Sequence, residues 1–304
     1  MMSYPTPLIK LDGINIKLEN QNPSGSIKDR IAEYIIDKAE KFGKIKKDYT
    51  IIEATSGNTG ISFSRVAALR GYKMIVVMPR GMSKEREQFI TGYGAKIIFV
   101  KPENFKGAMD KALILGKKSK TYLPRQFENP WNVEEHEKHL AKEIISQIKG
   151  KRIDAVVAGV GTGGTIIGVG KAVKKKNPRV KIFALEPSEC HLLVSSGIGS
   201  IYYGNDKIDK DKKVCKHHEI QGIGDGIIPG IISNNKKVID GVIGISSKEA
   251  MGETNKLAKR GYFVGPSSGA NFIGAKILKE KHPKWNIVIF FCDRGDRYLS
   301  EGIY

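Results

Sequence analysis

Apolar and polar positions along this chain follow two periods that alternate. Tyr49 to Glu53, Lys73 to Met78, Ala95 to Val100, Asp154 to Val160, Val180 to Glu186 and Trp285 to Phe291 are short, mostly apolar runs, the pattern of strands buried on both faces. Ile61 to Leu69, Ser83 to Gly92, Phe105 to Lys117, Val133 to Ile148, Thr165 to Val173, Ser246 to Lys259 and Ser268 to Lys279 read as helices. Strand, glycine turn and helix recur in that order, which implies parallel sheets covered by helices. The winding restarts at Asp154, suggesting a second sheet. Between Ser188 and Asp240 the pattern weakens into glycines, charges and short apolar pieces, where loops covering a site are expected.

Chemistry concentrates in the turns. Asn22-Pro23-Ser24-Gly25-Ser26-Ile27-Lys28-Asp29-Arg30 is a tight polar turn that stops at an apolar helix, Ile31 to Ile36. Backbone N–H groups and the positive helix end disfavour an ammonium ion at Lys28, which suits a lysine that works as a neutral amine, as a Schiff-base lysine does. Gly159-Val160-Gly161-Thr162-Gly163-Gly164-Thr165 lies between a strand and a helix, where N–H groups cradle phosphate. The same letters satisfy G-x-G-x-x-G, and Glu186 follows a little over ~20 residues later, so on this stretch alone a dinucleotide site stands equally. Thr55-Ser56-Gly57-Asn58-Thr59 heads a helix at the carboxyl end of a strand, where backbone and hydroxyl donors suit a carboxylate; a plain helix cap is the alternative. Pro266-Ser267-Ser268-Gly269 opens a further helix.

With Met78-Pro79, Met82-Ser83-Lys84-Glu85-Arg86, Gln126-Phe127-Glu128-Asn129-Pro130, Gln221-Gly222-Ile223-Gly224 and the ending Cys292-Asp293-Arg294-Gly295-Asp296-Arg297-Tyr298-Leu299-Ser300, these motifs resemble the pyridoxal-phosphate enzymes of the cysteine synthase and cystathionine β-synthase family nearly end to end. The last segment is most similar to B-type cysteine synthases. The resemblance implies the fold type II arrangement: two doubly wound, mostly parallel, three-layer α/β domains with the cofactor in the cleft between them. Residues 22–133 would form the N-terminal domain with Lys28 and the carboxylate loop, and residues 1–21 with 134–304 the C-terminal domain with the phosphate loop. It also implies that Lys28 holds pyridoxal 5'-phosphate as an imine and acts as the catalytic base, and that Gly161, Thr162, Gly163, Gly164 and Thr165 bind its phosphate. Ser267 would face the pyridine nitrogen and Asn58 the ring oxygen; Thr55, Ser56, Gly57, Asn58, Thr59 and Gln126 would hold the substrate carboxylate. Gly222 and Asp225 would border the entrance to the β-carbon. One pyridoxal phosphate accounts for all these turns, whereas a dinucleotide leaves Lys28 and two Ser/Thr-Gly turns unexplained. A neutral hydroxyl at Ser267 weakens the ring as an electron sink, steering the reaction to β-elimination and β-replacement rather than transamination.

The implied default is cysteine synthesis from O-acetylserine and sulfide through an aminoacrylate intermediate. The alternative consumes cysteine, releases hydrogen sulfide and captures a second amino-acid thiol, giving lanthionine or cystathionine. A non-catalytic binding protein of the same fold is disfavoured by the intact Lys28, Asn58 and Ser267. The chain departs from the family at Arg80-Gly81, at Ala141-Lys142 and over the segment 197–213. Asp225 stands where sulfide-using relatives carry a small uncharged residue. There a carboxylate repels hydrosulfide and favours an ammonium group or a protonated thiol, unless it simply points outward from its glycine turn.

Composition changes this picture little. The net charge of +19 comes from lysines spread along all 304 residues without interleaved aromatics, so a nucleic-acid surface is not expected and attraction of anionic substrates is the simpler use. No apolar run nears the ~20 residues that span a bilayer, and Met1-Met2-Ser3-Tyr4-Pro5 lacks a signal pattern, so a cytoplasmic protein off the membrane is expected. Its partners should be amino acids with sulfide or a thiol, and the resemblance implies a homodimer. Cys190, Cys215 and Cys292 are odd in number and widely spaced, which argues against disulfides and zinc, and the six histidines form no ligand pattern. Lys28→Ala should abolish both turnover and the protein-linked visible absorbance of the cofactor while leaving the far-ultraviolet circular dichroism unchanged.

Overall fold

The computed structural model describes residues 5–102, 104–204 and 214–304. Part of the divergent segment 197–213 and the residues Met1 to Tyr4 therefore lie outside the described residues. The chain opens with a hairpin, β1 (Leu8–Leu11) and β2 (Ile14–Leu18), and enters α1 (Lys28–Lys41). Then come β3 (Thr50–Ala54), α2 (Asn58–Arg70), β4 (Lys73–Pro79), α3 (Lys84–Gly92), β5 (Lys96–Val100), α4 (Phe105–Leu115) and β6 (Thr121–Tyr122). Next, α5 (Pro130–Glu135) passes through a π-helical turn, His136–Leu140, into α6 (Ala141–Gln147). The remainder is β7 (Ala155–Gly159), α7 (Gly164–Lys176), β8 (Lys181–Pro187), β9 (Ile201–Tyr203), α8 (Gly230–Ser233), β10 (Gly241–Ile245), α9 (Ser247–Lys259), α10 (Pro266–Lys281) and β11 (Ile287–Phe291).

These strands form two sheets, ordered β1-β2-β11-β7-β8-β10-β9 and β5-β4-β3-β6, and every pairing except β1 with β2 is parallel. Both faces of each sheet are buried, as near-continuous apolar strands require. Ile287, Ile289 and Phe291 of β11 pack into one core while Val288 and Phe290 pack into another. In the smaller sheet Ile51, Val76 and Met78 meet Ile31, Ile35 and Phe63 of α1 and α2, and Ile52, Ala54 and Val77 meet Ala108 and Ala112 of α4. Two three-layer α/β units are thus present.

The helix expected from Val133 to Ile148 is one continuous path interrupted by the π-helical turn. The hairpin β1–β2 and strand β10 carry no strand reading in the sequence. Lys10, Asp12, Asn15 and Lys17 break the apolar pattern of the hairpin, and Gly241 and Gly244 dilute that of β10. Lys17 and Asn15 are buried all the same, because each is hydrogen-bonded: Lys17 Nζ to Glu143 at 2.7 Å and Asn15 Nδ2 to Ile287 O at 2.9 Å.

A buried ion network ties α1 to the larger sheet. Arg30 Nε donates to Glu19 Oε2 at 2.6 Å, Nη1 to Glu143 Oε1 at 2.7 Å and Nη2 to Glu143 Oε2 at 2.8 Å. Burial would lower the Arg30 guanidinium, but Glu19 and Glu143 outweigh it and hold it protonated; burial would raise the Glu19 carboxyl, but Arg30 outweighs that and holds it below the ordinary glutamate range. A depressed carboxyl stabilises the fold above its unfolded pKa and loses that contribution as the pH falls through the folded value. Arg30→Met should cost about 3–5 kcal/mol, read from urea unfolding at neutral pH, because it leaves Glu19 buried and uncompensated. The deficit should shrink at acid pH, where Glu19 protonates.

Candidate active site

Lys28 is the first residue of α1 and is half-buried. The turn before it is fixed from within and from the C-terminal end of the chain. Asp29, fully buried, accepts from the Ser24 N–H and hydroxyl, both at 2.5 Å. The Ile27 N–H donates to Cys292 O at 2.9 Å, and Arg297 donates to the carbonyls of Gly25, at 2.6 Å, and Ser24. Ser26 and Asp293 form an antiparallel bridge. The lysine that the sequence places at a helix entrance is there, clamped by the segment that follows β11.

Facing it is the Thr55–Thr59 loop between β3 and α2. The Gly57 N–H donates to Thr55 Oγ1 at 3.0 Å, Thr59 Oγ1 donates to Gln126 Oε1 at 2.6 Å, and Gln126 Nε2 donates to Ala54 O at 3.1 Å. Asn58 Nδ2 donates to Asp293 Oδ2 at 2.6 Å, while Asn58 Oδ1 is buried and finds no donor among the described residues. One pocket is lined by Lys28, Thr55, Ser56, Asn58, Thr59, Gln126, Gly161, Thr162, Gly222 and Asp225, together with Arg86 and Phe127. Gly57, Gly163, Gly164, Thr165 and Ser267 do not line it.

The glycine turn 161–164 enters α7, whose N-cap, Gly163, sits at φ 84° and offers no side chain to the helix amides. Only a long contact, Gly164 N–H to Thr162 Oγ1 at 3.4 Å, engages them. Asn132 Nδ2 braces Thr162 Oγ1 at 3.1 Å, and Thr165 Oγ1 lies 3.3 Å from His136 Nε2. Gly161 admits no side chain, since a Cβ there would meet Gly222 O at 2.4 Å. Uncapped amides at a positive helix end, beside a half-buried lysine and an orphaned Asn58 acceptor, fit a phosphorylated aldehyde cofactor. Ser267, at the start of α10, is buried and hydrogen-bonded with Cys292, whose carbonyl accepts from the residue before Lys28. Burial pushes the Cys292 thiol up to about 12, so it stays protonated and inert.

Ser56, Gly222 and Asp225 also line a chamber of about 390 Å³, together with Met82, Phe105, Cys215, Lys216, His217 and His218. Asp225 points inward, not outward from its turn: it lines both spaces, bonds Ser56 and senses Lys28 and His218. Burial pushes its carboxyl above the ordinary aspartate range, against the opposing pull of Lys28. At the chamber wall the structure corrects one expectation. Cys190 and Cys215 face each other across an antiparallel bridge and form a disulfide, Sγ–Sγ 1.98 Å, leaving Cys292 free. A separation of 25 residues in sequence gives no sign that the two cysteines meet. The sequence attached no role to Arg86, Asn132, His218 or Asp293, which reach the site only through tertiary approach.

A lysine at a helix start, a carboxylate-type loop and a phosphate-type helix end sharing one pocket define a pyridoxal-phosphate enzyme. The family model described as pyridoxal-phosphate dependent enzyme matches residues 2–293, and the chain belongs to that family, as a β-replacing member. It is 43% identical to cysteine synthase B of Campylobacter jejuni, covering 98% of this chain and 95% of the relative, and 40% identical to a cysteine synthase of Staphylococcus aureus, covering 98% and 94%. Among solved structures it is similar to a hydrogen sulfide-producing enzyme of Fusobacterium nucleatum, with TM-score 0.85 and 42% identity over 95% of this chain and 83% of that one. It is also similar to the O-acetylserine dependent cystathionine β-synthase of Helicobacter pylori, with TM-score 0.88 and 37% identity over 99% and 96%. Among the described residues no helix is long and apolar enough to cross a membrane. Gly161→Ala should weaken pyridoxal-phosphate retention about tenfold, roughly 1.4 kcal/mol, in equilibrium dialysis, because the added methyl meets backbone that cannot yield.

Proposed function

We propose that this enzyme carries out β-replacement of the cysteine synthase type, exchanging the β-substituent of an L-serine derivative for sulfide or a thiol. The bound cofactor supplies an electron-withdrawing ring that renders the substrate Cα–H acidic. Lys28, fixed on the first turn of α1, takes that proton. The Thr55–Thr59 loop and Gln126 hold and orient the carboxylate, Gly161 to Thr165 hold the phosphate, and the neutral hydroxyl of Ser267 keeps the ring a modest electron sink. The observation that carries this reading is the single pocket shared by Lys28, the Thr55–Thr59 loop and Gly161–Thr162.

Asp225 favours a second reading of the nucleophile. Its carboxylate lines both the pocket and the chamber, beside Lys28 and Ser56, where hydrosulfide would be repelled and a protonated thiol engaged. Burial makes the ionised carboxylate a stronger base than an ordinary aspartate, suited to take the proton of an amino-acid thiol, which is largely protonated at neutral pH. An incoming cysteine then displaces sulfide from a first cysteine, which agrees with the likeness to a sulfide-producing enzyme. Because Asp225 must be ionised to act, sulfide release from cysteine should fall as the pH drops through its raised pKa, above the ordinary aspartate range. Asp225→Asn should abolish that limb and slow cysteine-dependent sulfide release about 10²-fold, while changing O-acetylserine sulfhydrylation by less than about threefold. Equal losses in both assays would leave sulfide as the nucleophile.

A further inference from the structure

Arg86, on the first turn of α3, runs beneath the Thr55–Thr59 loop and is 1% exposed. Its approach is close: a Cβ added to Gly57 would meet Arg86 Cδ at 2.2 Å and Nε at 2.5 Å. On its other side the guanidinium carbon lies 4.8 Å from the centre of the Tyr298 ring. A ring face attracts the charge of a guanidinium, but the N–H bonds lie in the guanidinium plane and are not used by that contact. Arg86 Nε and Nη1 are buried and find no acceptor among the described residues. Arg30 and Arg297, as deeply buried, direct N–H groups at Glu19 and Glu143 and at the Gly25 and Ser24 carbonyls. Asp225, the acid of the same pocket, bonds Ser56 and feels the charge of Arg86 without accepting a hydrogen bond from its Nε or Nη1. Two donors of a full positive charge therefore border a pocket whose remaining carboxylate-directed groups, on Thr55, Ser56, Asn58, Thr59 and Gln126, are all neutral.

We propose that Arg86 is the charged complement of the substrate-carboxylate site. The hydroxyls and amides of the loop orient the carboxylate, and the guanidinium behind Gly57 supplies the opposite charge, so the pocket selects a free α-carboxylate over a neutral amide of the same shape. Glycine at position 57 follows from this arrangement, because a side chain there displaces the guanidinium. The assignment deepens the reading of the pocket as an amino-acid site and rests on it.

The test titrates holoenzyme with L-serine and with L-serinamide, following the cofactor absorbance. Wild-type enzyme should bind L-serine more tightly. Arg86→Met should reduce that preference by about tenfold or more, the effect of one close opposite charge, almost wholly through weaker L-serine binding, and Arg86→Lys should restore part of it. A preference within about threefold of wild type in folded Arg86→Met protein overturns the proposal, as does equal weakening of both ligands, the mark of a packing role. For a variant that does not fold, a crystal of wild-type holoenzyme with L-serine decides: a carboxylate within about 6 Å of Arg86 Cζ supports the assignment and a more distant one overturns it. Wild-type enzyme without preference for L-serine would instead overturn the amino-acid reading of the pocket and leave no carboxylate for Arg86 to complement.

Discussion

Arg30 is the joint on which the site depends. Lys28 starts a helix that packs on the smaller sheet, yet the phosphate-type turn it serves belongs to the larger one, so something must set the rotation and height of α1 against both. The fork of Arg30, two residues past Lys28, does so by engaging Glu19 after β2 and Glu143 on α6 at fixed angles. Apolar residues of equal volume would stabilise as well but would leave the helix free to turn, since dispersion has no direction. A fixed Arg30 fixes Lys28, because a helix turn is stiff.

Across the pocket a carboxylate plays the corresponding part. Asp293 Oδ2 receives Asn58 Nδ2 and the Tyr298 hydroxyl, both at 2.6 Å, and its backbone bridges to Ser26. The end of β11, the start of α2 and the lysine turn therefore meet at one side chain. Tyr298 also carries Arg86 on its ring, so both charged groups behind the Thr55–Thr59 loop are positioned by the same C-terminal segment. Local sequence builds each loop; the last residues of the chain bring the loops together.

That division explains what was legible in the sequence. Buried parallel strands are continuous apolar runs, so β3, β4, β5, β7, β8 and β11 stand out, and the glycine and Ser/Thr turns after them carry Lys28, Thr55 to Thr59 and Gly161 to Thr165 in recognisable order. The hairpin β1–β2 escapes because its polar residues are buried through bonds to Glu143 and Ile287 that lie far along the chain. Strand β10 escapes because its glycines make room for neighbouring rings. Arg86, Asn132 and Asp293 look like ordinary polar residues until the fold seats them, and the Cys190–Cys215 bridge joins two cysteines whose spacing does not encode their meeting.

The position of β2 has a consequence for how the molecule comes into being. In the larger sheet β2 lies between its hairpin partner β1 and β11, with Leu18 beside Phe291. The first strands made must wait for the last. At the ~5–20 residues per second of synthesis, the delay is roughly 15–50 s, during which the smaller sheet, all of whose strands fall between Thr50 and Tyr122, is complete in sequence. The nascent chain thus carries the whole Thr55–Thr59 loop long before Asp293, Arg297 and Tyr298 exist to bind it to the lysine turn. Assembly of the pocket around Lys28 is a late event in the life of the chain, and early release by truncation removes the pocket before it removes the core of the smaller sheet.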